Sequence, residues 1–198
     1  HWPGSYFNNT EKSARLVEFM NTLKKSGKAL TIGLSNFQSQ DLNLLGEKLK
    51  TFSMNEVPYS LLDRAYEGKS LRLCKNADIP YMAFSPTAQG LLAKPMNQED
   101  LAMPTRIHHF LYQDSVYSHA KKVWETVCHI AKELGRKPVE VALAWVLTRD
   151  NIFTAIVGSR KPEQVQEFAK STELKLSPSQ LQRLTTASDQ FPMVKKGH

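Results

Sequence analysis

The chain has 198 residues, 41% apolar and 23% charged, with a formal net charge of +7. That composition suits one globular domain with a sizeable core, and no run of 18 or more apolar residues offers a membrane span. Lys and Arg are scattered among Glu and Asp with no basic stripe interleaved with aromatics, which argues against nucleic acid as a partner and leaves a bias toward anionic ligands.

Short β-rich runs alternate along the chain with longer segments of helical periodicity. Residues 11–26 predict a helix with Leu16, Phe19, Met20 and Leu23 on one face, closed by Gly27. A compact apolar strand follows at 29–34, and Ser39 is placed to cap a second helix carrying Leu42, Leu45 and Leu49. A strand at 52–57, a helix at 69–77 and a strand at 81–84 come next. Residues 91–115 hold Pro95, Pro104 and mixed polarity, and read as an extended loop. Helical pattern returns at 116–134 and at 138–147, with Pro138 in the favoured first turn. A fourth strand at 152–157 precedes a helix at 162–170. Ser177 and Gln180 then form a capping box for a terminal helix through Ala187.

Strand-then-helix alternation predicts a parallel sheet covered by helices in a single domain, 1–198. Periodicity alone does not separate an open sheet from a closed barrel. The strand ends lean toward a barrel, because each is followed by small or polar residues: Ser35-Asn36, Asn55-Glu56, Ser85-Pro86 and Gly158-Ser159-Arg160. In a (β/α)8 barrel such positions converge on one face, although a complete barrel takes about 250 residues. The two cysteines, Cys74 and Cys128, have no metal-ligand spacing and read as reduced thiols in a cytosolic protein. No metal site is expected. The first ten residues lack the basic and apolar regions of a signal peptide.

Several strand ends also carry motifs that resemble those of the aldo-keto reductase family. IGLSNF at 32–37 is similar to the family's fifth-strand signature, and NEVPYSLL at 55–62 to its sixth-strand stretch, usually NQ-x-x-Y-S-L-L. AFSPTAQGLL at 83–92 resembles the seventh-strand motif A-Y-S-P-L-x-x-G-x-L. VALAWVL at 141–147 and IVGSRKPEQVQE at 156–167 are similar to the last helix–strand–helix unit, and His1-Trp2-Pro3 matches the H-W-P that ends the fourth strand. The order and spacing of these motifs make the resemblance specific. It implies a (β/α)8 TIM barrel of the aldo-keto reductase type, incomplete here, with strands five to eight, their helices and a C-terminal helix.

The resemblance implies reduction of aldehydes or ketones to alcohols by hydride transfer from NADP(H), with a small carbonyl compound as substrate. It gives His1 the task of polarising that carbonyl and makes Trp2 a wall of the substrate pocket. Ser35 and Asn36 would hold the nicotinamide carboxamide. Glu56 stands where glutamine is usual, and Phe84 replaces the usual tyrosine as the ring that stacks on the nicotinamide. Ser85, Pro86, Gln89, Gly90 and Leu91 resemble the loop over the pyrophosphate. Gly158, Ser159 and Arg160 would meet the adenosine 2′-phosphate, with Gln164 and Glu167 near the adenosine. The next residue is usually asparagine in the family and is Phe168 here. Physical chemistry adds an independent reason for phosphate at this loop: Lys161 precedes Pro162 without a Ser or Asp cap, beside two cations.

The family's catalytic Asp, Tyr and Lys match no residue of this chain. Tyr59, Tyr81 and Lys161 fall on motifs with other jobs. Two alternatives to catalysis are a non-catalytic NADP(H)-binding regulatory subunit, as in potassium-channel β subunits of this family, and a half-barrel that self-associates through open sheet edges.

Overall fold

Short segments of two to five residues, too short to form helices, pair side by side here as parallel strands. The computed structural model describes residues 1–4, 7–96 and 98–192. In chain order the elements are α1 (Thr10–Lys25), β1 (Leu34–Ser35), α2 (Ser39–Leu45), β2 (Asn55–Pro58), α3 (Lys69–Asn76) and β3 (Tyr81–Phe84). Two short helices, α4 (Gln98–Leu101) and α5 (Pro104–Ile107), lead to α6 (Asp114–Leu134) and α7 (Pro138–Leu147). The chain closes with β4 (Ile152–Ile156), α8 (Pro162–Lys170) and α9 (Pro178–Asp189).

The sheet is parallel with order β1-β2-β3-β4, each strand lying beside its successor in sequence. Among the described residues it is open, with β1 and β4 at its edges. In β2 and β3, buried and half-buried residues alternate. Asn55, Val57, Tyr81 and Ala83 are buried, while Glu56, Pro58, Met82 and Phe84 on the other face are half-buried. Beside β4 the register shifts between Tyr81 and Met82, so that Tyr81 faces Ile152 and Met82 faces Thr154. Phe153 is the extra residue of this bulge and is 73% exposed.

Two apolar clusters hold the helices on the sheet. One joins Val17, Leu42, Leu45, Ile79 and Tyr81. The other joins Leu61, Val123, Val127, Ile130, Trp145 and Leu184. The long α6 ends at Gly135, whose left-handed φ of 61° turns the chain toward α7.

The structure redraws some of the predicted elements. The strand expected at 29–34 is reduced to Leu34–Ser35, preceded by one backbone bond in which the Ser53 N–H donates to the Ile32 carbonyl at 2.8 Å. The strand expected from 52 starts at Asn55. Phe19, expected on the buried face of the first helix, is 60% exposed, and Val17 is buried instead. Gln38 precedes α2 in the capping position expected of Ser39, and its N–H donates to Asp41 Oδ2 at 2.9 Å. The segment expected as extended loop contains α4, α5 and a 3-10 turn, Phe110–Tyr112. Trp124 of α6 is half-buried, whereas Trp145 of α7 is fully buried.

One polar cluster lies inside this apolar framework. Arg64 pairs with Glu67 through Nε at 2.8 Å and Nη2 at 2.7 Å, and with Asp189 of α9 through Nη1 at 2.6 Å. Its guanidinium lies 5.8 Å from the Trp145 ring centroid, and Arg149 lies over the same ring at 5.0 Å. Tyr59 donates its hydroxyl to Glu67, and Ser188 Oγ donates to the Leu61 carbonyl at 2.6 Å. Burial opposes the charge on Arg64, but Glu67 and Asp189 outweigh it and hold the guanidinium protonated. Replacing Arg64 with alanine leaves half-buried Glu67 with Arg149, at 4.0 Å, as its nearest cation, so unfolding free energy should fall by about 3 kcal/mol in a urea titration. A loss under about 1 kcal/mol, the scale of a surface pair, would mean that other contacts hold α9 in place.

Candidate functional site

The strand register sets the positions of the site residues. Ser35 lies opposite Glu56, Glu56 opposite Met82, and Phe84 between Pro58 and Ile156. Just past the strand ends the chain turns through left-handed residues, Asn36 at φ 62° and Ser85 at φ 51°. The first turn is pinned from β2. The buried Asn55 donates Nδ2–H to the Phe37 carbonyl at 2.9 Å and accepts the Phe37 N–H on Oδ1 at 3.4 Å. Sequence reasoning treated Asn55 only as part of a motif. The available signal was an amide at the head of a strand, on the same face as Val57, where burial demands partners.

The loop after β3 is the most contorted backbone in the site. Ala88, Gln89 and Gly90 have φ of 51°, 59° and 95°, in addition to Ser85. Two contacts brace it. Tyr112 donates its hydroxyl to the Gln89 carbonyl at 2.8 Å, and burial pushes that phenol's pKa up to about 12. Arg106 Nη2 lies so close to Gly90 that a Cβ there would come within 3.2 Å of it. Arg106 also stacks on the Tyr112 ring at 5.7 Å. Half-buried His109 accepts the Leu111 N–H on Nδ1 at 3.3 Å, and burial lowers its pKa.

Between this loop and the one after β4 lies a cleft of about 390 Å³. Ser85, Pro86, Gln89 and Gly90 line one side, and Gly158, Ser159, Arg160 and Gln164 the other. Cations stand at both sides. Lys94 bonds Asp100 at 2.6 and 2.8 Å, and buried Arg106 shares that carboxylate at 3.3 Å. Across the cleft, Arg160 and Lys161 form no ion pair among the described residues. Nothing lies within 4 Å of where a Cβ on Gly158 would stand, so the backbone there is open to a ligand.

The remaining predicted residues lie elsewhere. Phe84 borders a smaller pocket of about 90 Å³ that shares Ser85 and Gln89 with the cleft. Ser35, Asn36 and Glu56 are half-buried at the β1–β2 end of the sheet and do not line the cleft. Leu91 is buried beneath a groove behind the loop, beside Trp124. Glu167 is ion-paired with Lys137 of the loop before α7, outside the cleft lining. His1 and Trp2 are exposed and line none of these cavities.

The expectation of a poorly capped α8 needs correction: Gln164 Oε1 accepts the N–H groups of Arg160 at 2.8 Å and Lys161 at 3.1 Å. Sequence reasoning also missed Arg106 and Lys94 as cleft cations. Both lie in a stretch of mixed polarity without periodicity, and the nearby acid, Asp100, was the only local sign of a cation cluster. No His, Cys, Asp or Glu cluster among the described residues could hold a metal. Among the described residues no helix is long and apolar enough to cross a membrane.

A cleft outside the carboxyl ends of parallel strands, flanked here by cations, is where α/β proteins of this architecture build their ligand sites. The aldo/keto reductase family profile matches residues 1–189, and the chain belongs to that family. It is 29% identical over 169 residues to the NADH-specific methylglyoxal reductase of Escherichia coli (strain K12), covering 83% of this chain and 50% of that protein. It is 31% identical over 180 residues to the uncharacterized oxidoreductase YrpG of Bacillus subtilis (strain 168), covering 88% of this chain and 53% of the relative. The chain thus spans about half the length of these curated relatives. Its fold superposes on the glycerol dehydrogenase AKR11B4 from Gluconobacter oxydans with a TM-score of 0.79 at 21% identity, over 98% of this chain and 58% of that one. The fold is therefore TIM-barrel-like.

The Tyr112 brace can be tested directly. Tyr112→Phe removes one hydrogen bond and should cost about 0.5–1.5 kcal/mol of global stability. Amide hydrogen exchange in residues 88–92 should accelerate while exchange in α6 stays unchanged. Uniform protection in both variants would show that Arg106 alone shapes the loop.

Proposed function

We propose that this chain forms the cofactor-holding portion of a cytoplasmic, NADP(H)-dependent reductase of aldehydes or ketones. The observation that carries the reading is Arg160, an exposed cation without an ion-pair partner among the described residues, standing across the cleft from Lys94 and Arg106. Two separated cationic walls suit a ligand with two separated anionic groups, as a dinucleotide with a 2′-phosphate has.

The residues present fit that cofactor. Gly90 and Gly158 permit close backbone approach, and Arg106, Lys94 and Arg160 match phosphate charge. Phe84 offers a ring at the end of β3, and Ser35, Asn36 and Glu56 offer polar atoms for a carboxamide at the ends of β1 and β2. When bound, NADP(H) supplies the hydride that reduces the carbonyl carbon. The chain's own task is to hold and orient.

Proton donation is a different matter. Burial raises the phenol pKa values of Tyr59, Tyr66, Tyr81 and Tyr112, which makes each a weaker acid. Tyr59, Tyr81 and Tyr112 are further engaged by Glu67, the Tyr66 carbonyl and the Gln89 carbonyl. The reading therefore assigns proton transfer to the family's Asp, Tyr and Lys outside these 198 residues. A second reading, an associating half-barrel, is favoured by β4, whose outer edge has no partner among the described residues and which exposes Phe153.

Tryptophan fluorescence titrations with NADPH and NADH test the cofactor assignment. Arg160→Ala should weaken NADPH binding about 10- to 100-fold, the worth of a charged hydrogen bond, and leave NADH nearly unchanged. Equal losses on both would remove Arg160 from the 2′-phosphate. The same 198-residue chain should oxidise no NADPH with methylglyoxal, and turnover there would overturn the division of labour.

A further inference from the structure

We infer that this cleft holds the adenine of its dinucleotide by stacking on Phe168 and does not read the base's 6-amino group. The inference rests on the NADP(H) reading above and concerns the adenosine end of the same cleft.

Phe168 follows Gln164 by four residues on α8, so both face the same side of the helix. Both line the cleft, together with Arg160. Phe168 also lines a second cavity of about 340 Å³ together with Leu143, Val165 and Ala169. A half-buried aromatic ring on the wall of the cleft offers a face to a purine.

Telling adenine from a 6-oxo purine takes an acceptor aimed at the amino group, since only that group donates there. The side-chain acceptors of α8 next to Phe168 are already engaged. Gln164 Oε1 takes two backbone N–H groups, and those donors fix the orientation of the amide. Swinging it toward a base would orphan both donors at the start of the helix. Glu167 is held by Lys137 and lies outside the cleft lining. Phe168 itself has no acceptor. What α8 itself offers the base is therefore a ring face, and stacking on an aromatic ring is tolerant of base identity.

Equilibrium dissociation constants for NADPH and for nicotinamide hypoxanthine dinucleotide phosphate, by fluorescence quenching, test this. The two should agree within about threefold. Phe168→Ala should weaken both by about 5- to 100-fold, the range of one base–aromatic stack. Phe168→Leu keeps the apolar volume, removes the ring, and should lose affinity in the same sense if the alanine variant does not fold. A preference of tenfold or more for NADPH in the unaltered chain overturns the inference alone. Unchanged affinity in the folded Phe168 variants overturns it as well. Absence of binding by either dinucleotide overturns the NADP(H) reading and the inference together.

Discussion

A single buried guanidinium, Arg64, ties together parts of the chain more than a hundred residues apart. It lies after β2, bonds Asp189 of α9 at 2.6 Å, and stacks on Trp145 of α7. Burying such a charge is unfavourable unless every neighbour is placed to receive it. The placement of α7 matters because α7 leads into β4, and β4 ends in the Gly158–Arg160 wall of the cleft. Lys137, just before α7, then reaches Glu167 on α8. Two separate sets of ion pairs outside the cleft lining thus hold the elements that carry its second wall.

The first wall is fixed differently. Left-handed φ at Ser85, Ala88 and Gln89 is unfavourable for residues with a Cβ, by about 1 kcal/mol or more each. Such a loop persists only where its surroundings over-determine it. Here the Tyr112 hydroxyl and the Arg106 guanidinium supply that constraint from the segment after α4. The loop therefore has its shape before any ligand arrives, which lowers the ordering cost of binding.

How much of this could be read from the sequence depended on whether a signal was local. Tyr81–Phe84, Pro138–Leu147 and Pro162–Lys170 were legible residue for residue, because periodicity and Pro at the first helical position act within one turn. The first strand was not, since its regular pairing covers only Leu34 and Ser35 and Leu30, apolar in the sequence, is 89% exposed. Ser85, Gln89, Gly90 and Arg160 were recognisable from motifs, and they line one cleft. Arg106, Lys94 and Asn55 were invisible because their roles arise only when distant segments meet. Gln164 shows the converse. Its motif suggested the adenosine, but three residues of spacing made it the cap of its own helix.

The half-buried face of the sheet ties the two halves of the site together. Glu56, Met82 and Phe84 lie on the side that the helices do not cover, and Phe84 leads directly into the braced loop. Parallel sheets are rarely left open on one face. A cofactor whose diphosphate follows the Ser85–Gly90 loop would carry its nicotinamide back toward Phe84 and the polar ends of β1 and β2. Tyr81 lies on the opposite, buried face with its hydroxyl donated to the Tyr66 carbonyl, so the half-buried side presents Glu56, Met82 and Phe84 to whatever binds there.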